Sequence, residues 1–180
     1  MALKVLGINA VFHDPASALV VDGSTVAAAE EERFSRRKHG KEPVAFSTWE
    51  LPERSARWCL ESAGVTPADL DAVAYSYDPA LALPVTADVV DDNWEGLRSL
   101  FVRRAPLFLR TALPGLDPEI VRFVPHHVSH AASAYLASPF ESARKSTLST
   151  PSFSRKENES VGAPRARIAV TGDVSSSGMR

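Results

Sequence analysis

The chain is predicted to be an α/β lobe: a mixed sheet whose elements run β-β-β-α-β-α-β-α, followed by a low-order polar tail. Three observations predict it. The chain opens with short β-rich apolar runs, two of them joined by Asp22-Gly23, a strong hairpin signal. Further apolar runs then alternate with segments of helical periodicity as far as Leu136. Beyond Ser142–Lys145 the apolar pattern stops.

Lys4 to Asn9, Ser17 to Val21 and Thr25 to Ala29 are the first strands, with a loop carrying Phe12-His13-Asp14-Pro15 between the first two. The charged run Glu30 to Lys41 has no apolar periodicity and is expected to be a loop or a frayed strand end with a solvated surface. Pro52 to Gly64 has helical spacing through Ala56, Cys59, Leu60 and Ala63, and Gly64 is its stop. Thr66-Pro67-Ala68-Asp69 combines an N-cap, a proline at the first helical position and an acid in the first turn, which predicts a short helical piece. Ala72 to Ser76 is a fourth strand, and Asp88 to Leu109 a helix expected to break near Pro106. Ile120 to Val124 is the fifth strand and feeds a small-residue helix reaching Leu136. This order is that of a ribonuclease-H-like lobe. The expected division is a lobe over 1–143 and a tail over 144–180, where only Ile168 to Val170 resembles a strand.

With 180 residues, 44% of them hydrophobic and a formal net charge of −2, the chain is long enough for a real core and has no basic excess that would call for a nucleic acid partner. The single cysteine, Cys59, excludes an internal disulfide and reads as a buried thiol rather than a nucleophile. No run reaches membrane-spanning length, and the N-terminal apolar run lacks a basic leader and a cleavage site, so a cytoplasmic protein is expected. Trp49, Trp58 and Trp94 read as packing residues.

The segment Val124-Pro125-His126-His127-Val128-Ser129-His130 loads a strand-to-helix junction with imidazoles. A helix starting near His127 sets His126 and His130 about one turn apart on one face, where two neutral imidazoles can share an ion. Two histidines alone do not complete a metal site, and polar residues at a helix start account for the pattern equally well.

Taken together, Val5 to Asn9, Phe12-His13-Asp14, Ala18 to Gly23, Ala29 to Gly40, and His126-His127-x-x-His130 to Tyr135 resemble the N-terminal part of the O-carbamoyltransferases, the family of nodulation protein U and of the tobramycin, cephalosporin and novobiocin carbamoyltransferases. The resemblance implies an actin-like, Kae1-type ATPase domain, of which this chain carries the first lobe. It implies carbamoyl transfer from carbamoyl phosphate and ATP, through carbamoyl adenylate, to a hydroxyl of a small-molecule natural product, as in antibiotic biosynthesis. It implies that His126 and His130 are ligands of Fe2+ or another divalent cation, that His13 is a catalytic histidine beside the carbamoyl group, and that Lys38 is a catalytic and nucleotide-binding lysine. Asp14 either orients the His13 imidazole or caps its turn, the turn being preferred; Arg36, Arg37, His39 and Lys41 are expected to be flanking surface charge, and Tyr135 core.

The family's third metal ligand, an aspartate ending the next strand, has no counterpart in Thr147 to Pro151, and Asp173 lies where the resemblance has ended. The expectation is therefore an N-terminal fragment with an aberrant or frame-shifted tail, inactive by itself; neighbouring reading frames downstream of Ser142 would then restore an apolar strand ending Asp-Gly. A stand-alone metal- or nucleotide-binding module without catalysis is the alternative. An actin-fold phosphotransferase is disfavoured, because Asn9-Ala10-Val11-Phe12 has no phosphate-binding Gly-Thr/Ser loop. The acceptor and the oligomeric state are not legible in the sequence.

Overall fold

A computed structural model describes residues 1–12, 14–40, 50–82, 94–136, 138, 142–144 and 152–154. The chain divides into two compact units, Met1–His126 and His127–Arg180. The first contains a mixed sheet built from β1 (Lys4–Asn9), β2 (Ala16–Val21), β3 (Ser24–Glu30), β4 (Ala72–Tyr75) and β5 (Val121–Phe123), ordered β3-β2-β1-β4-β5. β1, β2 and β3 are antiparallel, whereas β4 runs parallel to β1 and β5 parallel to β4. The β2–β3 hairpin turns on Asp22 (φ 50°) and Gly23 (φ 82°), the pair of positive φ angles that a primed two-residue turn needs.

Alternation along the strands puts Leu6, Ile8, Leu19, Val73, Tyr75 and Val121 on one buried face. α2 (Glu53–Ser62) and α3 (Trp94–Ala112) contribute Ala56, Cys59, Leu60, Phe101, Val102, Ala105 and Leu109 to the same core. The two helices are tied by Arg57, whose Nη2 donates to the Ala112 carbonyl oxygen at 2.8 Å. Cys59 is fully buried, as expected of a packing thiol.

α2 begins at Pro52, which has no side-chain acceptor to offer the first amides. Glu31 supplies it from the far side of the chain: its carboxylate accepts from the Ser55 N–H at 2.8 Å and the Arg54 N–H at 3.3 Å. A carboxylate that is only 5% exposed is tolerable because charge-assisted bonds and the positive helix end offset its desolvation. Thr66 and Asp69 form a capping box that opens a 3-10 turn over Pro67–Asp69, the short helical piece that the sequence predicts.

Two expectations need correction. The charged run is not merely a loop, because Glu32–Ser35 forms a short helix, α1, closed by Arg36 at φ 60°. The helix containing Pro106 does not break there: α3 continues to Ala112. A helical proline costs about 3 kcal/mol, while burying each of Val102, Leu109 and their neighbours returns about 1.5–3 kcal/mol, so packing wins. Trp58 packs its ring against Phe34 at 5.9 Å between centroids while remaining 42% exposed.

α4 (His126–Leu136) starts on the last residue of the first unit and otherwise belongs to the second. The second unit also contains a two-stranded antiparallel sheet, β6 (Ser142–Arg144) with β7 (Ser152–Ser154), which the sequence pattern does not foretell. Ile168 to Val170 lies outside the described residues. Among the described residues no helix is long and apolar enough to cross a membrane.

Candidate functional site at the strand ends

The parallel strands β1, β4 and β5 end on the same side of the sheet, the edge at which open α/β sheets present their ligands. The polar residues that follow them interlock. Ser76, just past β4, donates its Oγ hydrogen to Asn9 Oδ1 at 2.6 Å, and Asn9 Nδ2 donates to the Asp14 backbone oxygen at 2.8 Å. Tyr75, with its phenol buried and pushed above its ordinary pKa by desolvation and then by the Glu50 carboxylate, donates to the Ala10 carbonyl at 3.1 Å.

Between these anchors the chain makes a strained bend. Phe12 N–H bonds to the Ala10 carbonyl at 2.9 Å across Val11, whose φ is 75°. That is a γ-turn of the rarer hand, built on a β-branched residue, a conformation that costs about 1–3 kcal/mol and persists only where its surroundings hold it. Here Val11 is buried, and the Phe12 ring stacks on Tyr77 with centroids 3.9 Å apart. The Arg98 guanidinium stands over the same ring at 5.6 Å.

His126 joins this cluster. Its Nδ1 lies 2.9 Å from the Ser76 backbone oxygen and its ring is 6.2 Å from that of Phe12. A carbonyl oxygen only accepts, so Nδ1–H is the donor of this bond. Metal-binding histidines are commonly held in this way, with the second nitrogen donating to a backbone carbonyl. His126 therefore fits a divalent cation in its support. His130 lies on the same helix, one turn further along and exposed. Among the described residues there is no group of three or more His, Cys, Asp or Glu placed to hold a metal ion.

Lys38 is exposed in a 3-10 turn over Lys38–Gly40. His13 lies outside the described residues, although Phe12 and Asp14 on either side belong to the cluster. Two expectations about their neighbours are corrected. His39 is more than flanking surface charge: its Nδ1 stands 3.3 Å from both Asp14 carboxylate oxygens. Asp14 does more than cap a turn, because its carboxylate meets that ring. Tyr135 is buried, as expected.

Sequence reasoning missed Asn9, Ser76, Tyr77 and Arg98. The signal available for Asn9 and Ser76 was a lone polar residue closing an apolar strand run; Arg98, inside a helix of mixed spacing, gave none.

Comparison with known proteins matches residues 4–152 to the family model described as carbamoyltransferase N-terminus. The chain is 37% identical over 146 residues to nodulation protein NolNO of Sinorhizobium fredii (strain NBRC 101917 / NGR234), covering 74% of this chain and 19% of that protein. It is 33% identical over 159 residues to an uncharacterized protein of Synechocystis sp., covering 77% of this chain and 24% of that protein. An uncharacterized 19.2 kDa protein of Rhizobium etli is 43% identical over 67 residues, 37% of this chain and 34% of that protein. The chain thus spans about a fifth to a quarter of the length of the first two relatives.

Proposed function

We propose, starting from the fact that this chain belongs to the carbamoyltransferase N-terminus family, that its strand-end cluster is the part of a carbamoyl-transfer site that faces the departing phosphate and the acceptor hydroxyl. The observation that carries the proposal is the His126 imidazole, held at the strand ends through Nδ1 by the Ser76 carbonyl, as metal-binding histidines commonly are. His126 and His130 are the residues that would hold Fe2+ or another divalent cation, and such an ion would offset charge building on the phosphate of an AMP leaving group.

In the transfer proposed, the acceptor hydroxyl oxygen bonds to the carbamoyl carbon of carbamoyl adenylate. The bond from that carbon to the phosphate oxygen breaks, and AMP leaves with the electron pair. His13 takes the hydroxyl proton, a task that suits an imidazole. The Lys38 ammonium offsets phosphate charge. Carbamoyl phosphate and ATP are the sources of the adenylate, and the acceptor is a small-molecule hydroxyl compound. The stretch shared with its relatives is proposed to transfer no carbamoyl group by itself, since the family resemblance assigns adenylate formation to a second domain outside that stretch.

A second reading is a metal- or nucleotide-binding module without catalysis. Titrating AMP into the 15N-labelled chain with and without Fe2+, or with Zn2+ as a diamagnetic substitute, tests the shared claim. Support is a metal-dependent shift of the Ser76, Tyr77 and Lys38 amides. Shifts elsewhere, or none, would refute the site. Carbamoylated product formed when carbamoyl adenylate is supplied would separate transferase from binding module.

A further inference from the structure

A series of polar contacts runs along the strand ends from the proposed metal histidine to the lysine turn. His126 Nδ1–H donates to the Ser76 carbonyl, the Ser76 hydroxyl to Asn9 Oδ1, and Asn9 Nδ2 to the Asp14 carbonyl. The Asp14 carboxylate then accepts from His39 Nδ1–H, and the His39 backbone N–H donates to Glu32 Oε2 at 2.9 Å. Each link is a pair of named atoms, all within the first unit.

His39 is the residue on which this series closes. Three features fix it at once: its ring on Asp14, its N–H on the first turn of α1, and a φ of 59°, in the left-handed region where His and Asn are more often found than most side chains. The residues on either side of the contact matter as well. Asp14 follows His13 and His39 follows Lys38, so the two sequence segments assigned to the transfer chemistry are tied through their immediate neighbours.

We propose that His39 is a positioning residue for Lys38: docked on the Asp14 carboxylate, its imidazole fastens the turn that carries Lys38 to the connection leaving β1, and so sets where that ammonium stands relative to the strand ends. This rests on the assignment of Lys38 to the phosphate side of the site. The opposing possibility is a plain exposed ion pair, both partners being about half exposed, and such pairs frequently contribute nothing measurable.

The test uses the full chain and two readouts. Amide hydrogen exchange across Lys38–Gly40, corrected for intrinsic rates, reports the clamp; inorganic pyrophosphate titrated against the Lys38 signals reports the placement of the ammonium. Asp14→Ala and His39→Ala should each speed exchange at least threefold and weaken pyrophosphate binding at least threefold. The double variant should be no worse than either single one, because one contact is lost in all three. His39→Asn, which keeps a donor and tolerates the left-handed conformation, should return both readouts to within twofold of the parent chain. Unchanged exchange and affinity in both alanine variants would overturn the proposal, as would strictly additive effects or failure of His39→Asn to rescue. Lys38→Gln distinguishes the premise from the clamp: if it leaves pyrophosphate affinity unchanged, Lys38 is not a phosphate-side residue and the positioning role falls with it, whatever the exchange rates show.

Discussion

Replacing Glu31 should destabilise the lobe far more than its place in a charged run suggests. Its carboxylate holds the Ser55 and Arg54 amides at 2.8 and 3.3 Å, and Ser55 is fully buried. In Glu31→Ala the Ser55 N–H loses its acceptor where water does not reach it, at a cost of about 1–3 kcal/mol. Loss of the negative charge from the start of α2 adds about 0.3–1 kcal/mol. The longer bond to Arg54, an exposed residue, adds little, so about 3 kcal/mol is expected for Glu31→Ala. Glu31→Gln keeps one acceptor oxygen and should lose about half of that, roughly 1–2 kcal/mol. In urea, with a slope of about 1–3 kcal/mol/M, the alanine variant should unfold about 1–3 M earlier with the slope unchanged. The assay is equilibrium unfolding followed by far-UV circular dichroism. A midpoint shift below about 0.3 M for Glu31→Ala, or equal shifts for the two variants, would refute the remote-cap account.

The Asp69 carboxyl is held below its ordinary pKa chiefly by the Thr66 hydroxyl and then by the Thr66 amide. Its folded value lies under the unfolded one, so its contribution is present above the unfolded carboxylate pKa and is lost as pH falls through the folded value. The difference in Tm between the parent chain and Asp69→Ala should therefore narrow on acidification, as differential scanning calorimetry at several pH values would show; a gap independent of pH would contradict it. Burial pushes the Cys59 thiol above its ordinary pKa, against the smaller opposing pull of the Leu19 and Ala29 backbone. The neutral thiol is favoured in the fold, so its stabilisation is complete below the unfolded thiol pKa and declines as pH rises through the folded one. Iodoacetamide at pH 8 should label Cys59 only as fast as the chain opens, whereas rapid labelling of the native protein would place the thiol outside the core.

Where local chemistry decides an element, the sequence could be read directly. Asp22-Gly23 needs two positive φ angles and has them; Thr66 and Asp69 close a capping box across three residues; alternation puts Leu6, Ile8, Leu19, Val73 and Tyr75 on one face. Where distant groups decide it, the sequence was silent. Periodicity cannot show that core burial carries α3 through Pro106, nor that Glu31 caps a helix starting at the far end of another connection. The site divides in the same way. The spacing of His126 and His130 is legible because one helix sets it, but the Ser76 carbonyl that holds the His126 ring is contributed by another strand end. The Asp14–His39 contact joins two charged segments that, read singly, look like solvated surface.

The central claim is that His126 and His130 share one divalent cation. Anaerobic Fe2+ titration of the full chain, with the bound metal counted by elemental analysis and Zn2+ used for calorimetry, tests it most directly. The account predicts one equivalent bound weakly, with affinity falling at least about 10-fold in His126→Ala and in His130→Ala and unchanged in His127→Ala, whose side chain is exposed. No uptake, or uptake that survives both substitutions, would contradict it.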